Sequence, residues 1–111
     1  MIPMTGSTPS AAASEAPLDV QVLQTAASLE NLAVASYTTA ARLPFVVKGS
    51  EGLRALIARN TAHHTAHAQA FNLSVHKAGG AQQHAPDARY AGSVGRILRS
   101  EEHTSELQSR P

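Results

Sequence analysis

Apolar residues in the first half of the chain recur at the spacing of an α-helix. Gaps of four and three residues alternate along one stripe, which places its members on a single side of the helix. The stripe consists of Leu23, Ala27, Glu30, Val34, Tyr37 and Ala41, whereas the opposite side is polar. Asp19 is a good N-cap after Pro17, and the residue before Pro44 avoids the α region. The pattern therefore predicts a helix from about Val20 to about Arg42.

The same spacing returns after a linker that contains a proline. Ser50 is the expected N-cap of a second helix, Glu51 lies in its first turn, and Gly79-Gly80 is a C-cap signal at its end. The stripe of this helix consists of Leu53, Ile57, Asn60, His64, His67, Phe71 and Ser74. The linker PFVVKGS is too apolar for a free loop, so we expect its three apolar side chains to pack against the end of the helices.

Composition narrows the fold class to a single small all-α domain. The chain has 111 residues, of which 42% are hydrophobic and only 4% aromatic, so its core would be built mainly from Ala, Leu and Val. Such small side chains suit closely packed helices better than sheets. We therefore expect an all-α fold in which two long antiparallel helices pack along their stripes.

Charge and residue usage limit the partners of the chain. The net charge is +1 at pH 7, which gives no basic field for nucleic acid. No apolar run approaches the roughly 20 residues that a membrane helix needs. Because the chain has no cysteine and shows no secretory signal pattern, a cytoplasmic location is favoured. No Ser-His-Asp arrangement or phosphate-binding glycine loop is evident, so no catalytic residue is assigned and no enzyme is expected.

The two ends of the chain differ in character from its middle. Residues 1–17 are rich in Ser, Ala, Pro and Thr, which is typical of a disordered arm. Residues 99–109, RSEEHTSELQS, resemble over their whole length the in-frame translation of a sequencing-library adapter. We therefore expect residues 18–98 to form a truncated helical hairpin with part of a crossover segment, and residues 99–111 to be a non-native tail.

Three polar residues lie on the otherwise apolar stripes. Glu30 has only small apolar neighbours at helical spacing, while His64 and His67 lie one turn apart on the second helix. A carboxylate that faces a core is costly unless it is paired, protonated or bound to a metal. The pattern allows a metal site formed by these three residues, or a buried Glu–His hydrogen-bond network that only specifies packing. It also allows casual capture of metal at the surface by His63 and His67.

These residues resemble the metal-binding pattern of bacterial ferritin-like domain proteins. The resemblance is carried by DVQVLQTAASLENLAVASY, residues 19–37, and by HHTAHAQAFNLSVHKAGGAQQHAPD, residues 63–87. It implies half of a ferritin-like four-helix bundle, with Glu30 as a metal ligand and His64 and His67 at the two ligand positions of the family's Glu-x-x-His. His64 stands where the family has a bridging Glu, and a neutral imidazole does not bridge two ions. Two imidazoles and one carboxylate suit a single ion of zinc or iron.

A lone hairpin would leave much of both apolar stripes exposed to water, which favours assembly with a second copy. Two helices cover only one side of each other, and so small a core is marginal on its own. Pairing two hairpins about a two-fold axis would rebuild a four-helix bundle and bring Glu30, His64 and His67 of both copies together. We therefore expect either a homodimer or a loosely folded chain.

Overall fold

The fold is built from four α-helices. This computed structural model describes residues 16–108, with side chains up to residue 101. Helix α1 spans Leu18–Ala40, α2 spans Pro44–Val47, α3 spans Glu51–Lys77 and α4 spans Ala88–Gln108. No strand occurs within the described range, so the expected all-α fold class is confirmed. The expected disordered arm lies outside the described residues except for its last two positions.

The start of α1 differs from the predicted one. The helix begins at Leu18 with Pro17 in the N-cap position, and no side chain caps it. The carbonyl of Pro17 already accepts the helical hydrogen bond from the N–H of Gln21. Asp19 therefore lies inside the first turn, where its Oδ1 accepts a hydrogen bond from the N–H of Val20. The prediction that Asp19 caps the helix is wrong, because a proline stops a helix before itself and not after itself.

The linker between the long helices contains a single helical turn that the sequence pattern did not predict. Helix α2 begins with Pro44, whose fixed φ suits the first helical position. Val46 is buried with Leu43 and Ile57 in a small apolar cluster at this end of the molecule. Phe45 and Val47 remain exposed. The expectation that the apolar linker residues all pack inward is therefore correct for Val46 only, since one turn of helix directs its side chains to different sides.

Helix α3 begins and ends as the sequence predicts. The Ser50 hydroxyl accepts a hydrogen bond of 3.0 Å from a backbone N–H in the first turn. At the other end Gly79 adopts a φ of 80°, which side chains with a Cβ rarely take. The N–H groups of Gly79 and Gly80 bond to the carbonyls of His76 and Val75 at 3.0 and 2.9 Å. This pair of bonds is a Schellman motif, and it reverses the chain after α3.

Helices α1 and α3 pack side by side, but the packed side of α3 departs from the predicted stripe after His64. There the buried residues are Ala68, Asn72 and Val75, whereas His67 and Ser74 of the stripe are exposed, because a seven-residue repeat drifts around a straight helix. Ala27 of α1 and Val75 of α3 are fully buried between the two helices. Near the start of α1, Val20 lies so close to Gly80 that a Cβ on that glycine would come within 2.6 Å of the valine side chain. Near the end of α1, Tyr37 accepts a hydrogen bond from Asn60 of α3. Both long helices therefore lie side by side over most of their length.

The segment after α3 crosses both long helices on their polar side. We call residues 81–87 the strap. The buried side chain of Asn72 donates to the carbonyl of Gln83 and accepts from its N–H, each at 2.8 Å. Asn31 of α1 donates to the same carbonyl, also at 2.8 Å. The polar side of α1 thus has a structural role, because its amide groups hold the strap.

Helix α4 is attached to the body through its first half. Asp87 is buried and acts as the N-cap, its Oδ1 accepting a hydrogen bond of 2.9 Å from the N–H of Arg89. The side chain of Leu98 packs against the apolar cluster around Val46. From Arg99 to Glu101 the side chains are exposed. The described side chains of the expected non-native tail therefore lie outside the core.

The helices form a thin, elongated layer. The principal extents are 74 × 23 × 14 Å, and the shortest is little more than the diameter of one helix. The radius of gyration is 18.8 Å, compared with about 13 Å for a compact domain of similar length. None of the helices within residues 16–108 is long and apolar enough to cross a membrane.

Candidate metal centre

Glu30, His64 and His67 meet at the middle of the long helices. Glu30 lies near the centre of α1 and His64 at the centre of α3. The Glu30 side chain is only 14% exposed, because α3 packs against α1 at this point and the imidazoles of His64 and His67 lie against the carboxylate. The sequence expectation that this carboxylate is partly buried and paired with a histidine of α3 agrees with the geometry.

Each oxygen of the Glu30 carboxylate faces one imidazole. Its Oε1 lies 2.6 Å from Nδ1 of His64, and its Oε2 lies 3.3 Å from Nδ1 of His67. The first distance is that of a short hydrogen bond in which the imidazole N–H donates to the carboxylate. One ligand atom from each of the three residues lies within 4.8 Å of the other two. The cluster therefore gathers one carboxylate and two imidazoles around a common point.

The ring of His64 is held by two residues that the sequence did not single out as part of the site. Tyr37 stacks on it with a centroid distance of 5.5 Å and an interplanar angle of 19°. The Tyr37 hydroxyl in turn accepts a hydrogen bond of 3.3 Å from Asn60. Tyr37 lies seven residues after Glu30, and Asn60 lies four before His64, so both are on the predicted stripes. That spacing is the signal that could have found them.

The two histidines differ in exposure. The side chain of His64 is 31% exposed and that of His67 is 60% exposed. A step of three residues falls about 60° short of a full helical turn, so His67 is rotated away from the line between the helices. Although both histidines are on the predicted apolar stripe, His64 therefore lies between the helices and His67 lies at their edge. Its Nδ1 nevertheless reaches the carboxylate.

The remaining described histidines lie apart from this cluster. His63, His76 and His84 are all exposed. Within the described part of the chain, the group able to hold a metal ion consists of Glu30, His64 and His67 and does not include His63. The structure thus brings together the three residues that the sequence analysis selected.

The three residues offer donor atoms of the kinds that transition-metal ions bind. Bonds of 2.0–2.2 Å to nitrogen and oxygen in a tetrahedral site place neighbouring donors about 3.3 Å apart. The pair formed by Glu30 and His67 already has this separation, while the pair formed by Glu30 and His64 is closer at 2.6 Å. A small side-chain rotation that opens the closer pair would admit an ion. Ligation through Nδ1 of His64 would then place the ring proton on Nε2, because the nitrogen that binds the metal must be unprotonated.

Comparison with known proteins leaves the chain without an assigned family. No family model, curated protein or solved structure matches this chain. The resemblance to ferritin-like domain proteins therefore stays a prediction that rests on the residues that carry it.

Proposed function

We propose that this chain is a ferritin-like helical protein that binds a single transition-metal ion, zinc or iron, through Glu30, His64 and His67. One observation carries the proposal: three donors from two different helices have their ligand atoms within 4.8 Å of one another. Residues from separate helices converge in this way only if packing brings them together, so a chance surface grouping within one helix does not account for it.

The arrangement of the helices supports the ferritin-like part of the proposal. The start of α1 lies beside the end of α3, as the contact of Val20 with Gly80 indicates. An antiparallel pair with a mid-helix Glu on one member and a histidine pair at i, i+3 on the other is half of the ligand arrangement in di-metal carboxylate bundles. Because His64 replaces the bridging carboxylate, the arrangement suits one ion and not two.

The cost of burying Glu30 supports the metal-binding part. A carboxylate with 14% exposure loses most of its hydration and needs compensation by charge or hydrogen bonds. A divalent cation would supply that charge, and two imidazoles with one carboxylate suit zinc or ferrous iron. Three protein ligands leave at least one coordination position for water or another donor.

A second candidate function is a packing module in which the cluster binds no metal. It is favoured by the 2.6 Å contact between Glu30 and His64, which already satisfies one carboxylate oxygen by a protein donor. Among the described side chains, no buried polar atom lacks a hydrogen-bond partner. In this case the network would specify how α1 and α3 align and would have no ligand.

Metal titration of the untagged protein separates the two candidates. We expect Zn²⁺ or Fe²⁺ binding by isothermal titration calorimetry, and a loss of affinity greater than about 100-fold in His64→Ala, since outer-shell changes alone cost 10–100-fold. His76→Ala is the matched control because it removes an exposed histidine from the same helix. If the wild type binds neither ion while His64→Ala still lowers the free energy of unfolding, the chain is a packing module.

The surface-capture alternative has its own discriminating variant. His63 and His67 are four residues apart on α3 and would chelate an ion without Glu30. Loss of binding in His63→Ala together with unchanged binding in Glu30→Gln would assign the ion to the helix surface and contradict the proposed centre.

A further inference from the structure

One broad side of the α1 and α3 pair carries the strap, and the other presents mostly apolar and small residues. We call this second side the open face. Its central residues are Leu23, Ala26, Ala33, Leu56, His67 and Phe71. By helical spacing Ala26, Ala33, Leu56 and His67 lie about 140–160° around their helices from Asn31 and Asn72, which hold the strap, whereas Leu23 and Phe71 border the line between the helices. All six are half-buried or exposed. The open face is therefore an incompletely buried apolar surface with a polar cluster in it.

That cluster lies at the centre of the open face. Thirteen residues of α3 precede His64 and thirteen follow it, because the helix spans Glu51–Lys77. Glu30 lies within one residue of the midpoint of α1, which spans Leu18–Ala40. A two-fold axis through the cluster would superimpose the whole face on the same face of a second copy. An axis elsewhere would leave the ends of the helices uncovered.

In one copy the candidate metal site leaves at least one coordination position without a protein ligand. It offers three donors, whereas zinc takes four ligands and iron commonly more. The His67 side chain, 60% exposed, lies on the open face and is accessible to a second molecule. A second copy seated there would bring its own Glu30, His64 and His67 to the same place.

The size and the charge of the open face both suit a second copy of the chain. Two helices of 23 and 27 residues side by side present about 35 Å by about 20 Å, or about 700 Å² per copy. A stable interface buries about 800 Å² per partner. The six central residues of the open face include no Asp, Glu, Lys or Arg, so two copies would approach with little repulsion except between the Glu30 carboxylates, whose charge the metal would offset.

We propose that a second copy of this chain packs on the open face about a two-fold axis beside His67, and that ligands from both copies complete one metal cluster. This inference rests on the proposed metal binding. Because the ion contacts both copies, metal binding and dimer formation are linked, and each strengthens the other by the same factor.

Sedimentation equilibrium of the full untagged chain, with and without zinc chloride, tests the proposal. We expect a dimer whose dissociation constant falls at least about tenfold when zinc is added. Leu56→Lys on the open face should give a monomer. Leu73→Lys should leave the dimer intact: both leucines are exposed on α3, at 46% and 53%, but Leu73 lines the groove beside the strap. Circular dichroism checks that both variants keep the helical content of the wild type.

The outcomes distinguish a failed interface from a failed metal site. A wild-type chain that binds zinc yet stays monomeric overturns the interface and leaves the proposed function standing. A chain that binds no zinc overturns the proposed function, and a dimer indifferent to zinc overturns shared ligation. Equal disruption by Leu56→Lys and Leu73→Lys would locate the interface elsewhere and also overturn the proposal.

Discussion

At the residue scale, the buried polar side chains hold neighbouring segments in place. Asn72 uses both its donor and its acceptor on the backbone of Gln83, and Glu30 uses both carboxylate oxygens on imidazoles. A buried polar group that loses its partner costs about 1–3 kcal/mol. We therefore expect that replacing Asn72 or Glu30 by a residue of similar size lowers the free energy of unfolding.

Asp87 is the polar residue whose titration the structure makes testable. Hydrogen bonds from the Arg89 side chain lower the pKa of the Asp87 carboxyl below its usual value. A depressed pKa stabilises the fold above the ordinary carboxyl pKa, and the contribution is lost as the pH falls through the lower folded value. In Arg89→Ala we expect the pKa of Asp87 to rise toward its ordinary value, as measured by carboxyl ¹³C NMR titration.

The control for this titration is Arg96→Ala. Arg96 lies in the same helix but donates to Ser93 and not to Asp87. An equal rise of the Asp87 pKa in both variants would mean that general charge, and not the direct contact with Arg89, lowers it.

At the scale of elements, the ends of α3 determine where the chain turns. Ser50 caps one end and the Schellman motif of Gly79 and Gly80 closes the other. Both devices satisfy backbone groups that a helix leaves unpaired at its termini. The direction in which the strap leaves α3 therefore depends on a single left-handed glycine.

Replacing one glycine at each end of α3 by alanine should change the free energy of unfolding in opposite directions. Gly79→Ala forces a Cβ into a φ of 80°, which should cost about 1–2 kcal/mol in the free energy of unfolding. Gly52→Ala lies in the first turn of α3, where a Cβ would meet nothing closer than 3.9 Å, so it should stabilise by about 0.5–1 kcal/mol. Urea denaturation measures both. Destabilisation by both changes would contradict the assigned backbone conformation at Gly79.

The sequence predicted elements well where a local signal defined them. Ser50 and Gly79 mark the ends of α3 by their chemistry alone, and the apolar stripes placed Glu30 and His64 opposite each other. The one-turn helix α2 was missed because four residues are too few to show a period. Tertiary packing, which no local pattern encodes, determines the stacking of Tyr37 on His64 and the hydrogen bonds of Asn72 to the strap.

At the scale of the whole molecule, the chain is a layer, and the described side chains of α4 that contact it lie in the first half of that helix. Its half-buried residues recur at helical spacing and are Ala91, Val94, Gly95 and Leu98. From Arg99 to Glu101 the helix has only exposed side chains. Leu98, the last half-buried side chain among those that the structure describes, therefore directly precedes the position at which the adapter-like segment begins.

Removing residues after Leu98 should change the free energy of unfolding by less than roughly 0.5 kcal/mol, the usual range for surface changes. Leu98→Ala in the full-length chain should cost more, about 1–2 kcal/mol, because this side chain packs on the cluster around Val46. Thermal and urea unfolding of the two proteins would measure the difference. A larger loss on truncation than in Leu98→Ala would show that the tail contributes to the packed structure.

The strap makes the two broad sides of the molecule different. Asn31 and Asn72 hold residues 81–87 across one broad side, and the open face is the other. A layer that associates through both broad sides would form open-ended filaments, whereas a layer that associates through one side forms a closed dimer. In the proposed dimer each copy would therefore keep its strap on the outer side, and a third copy would meet no free open face.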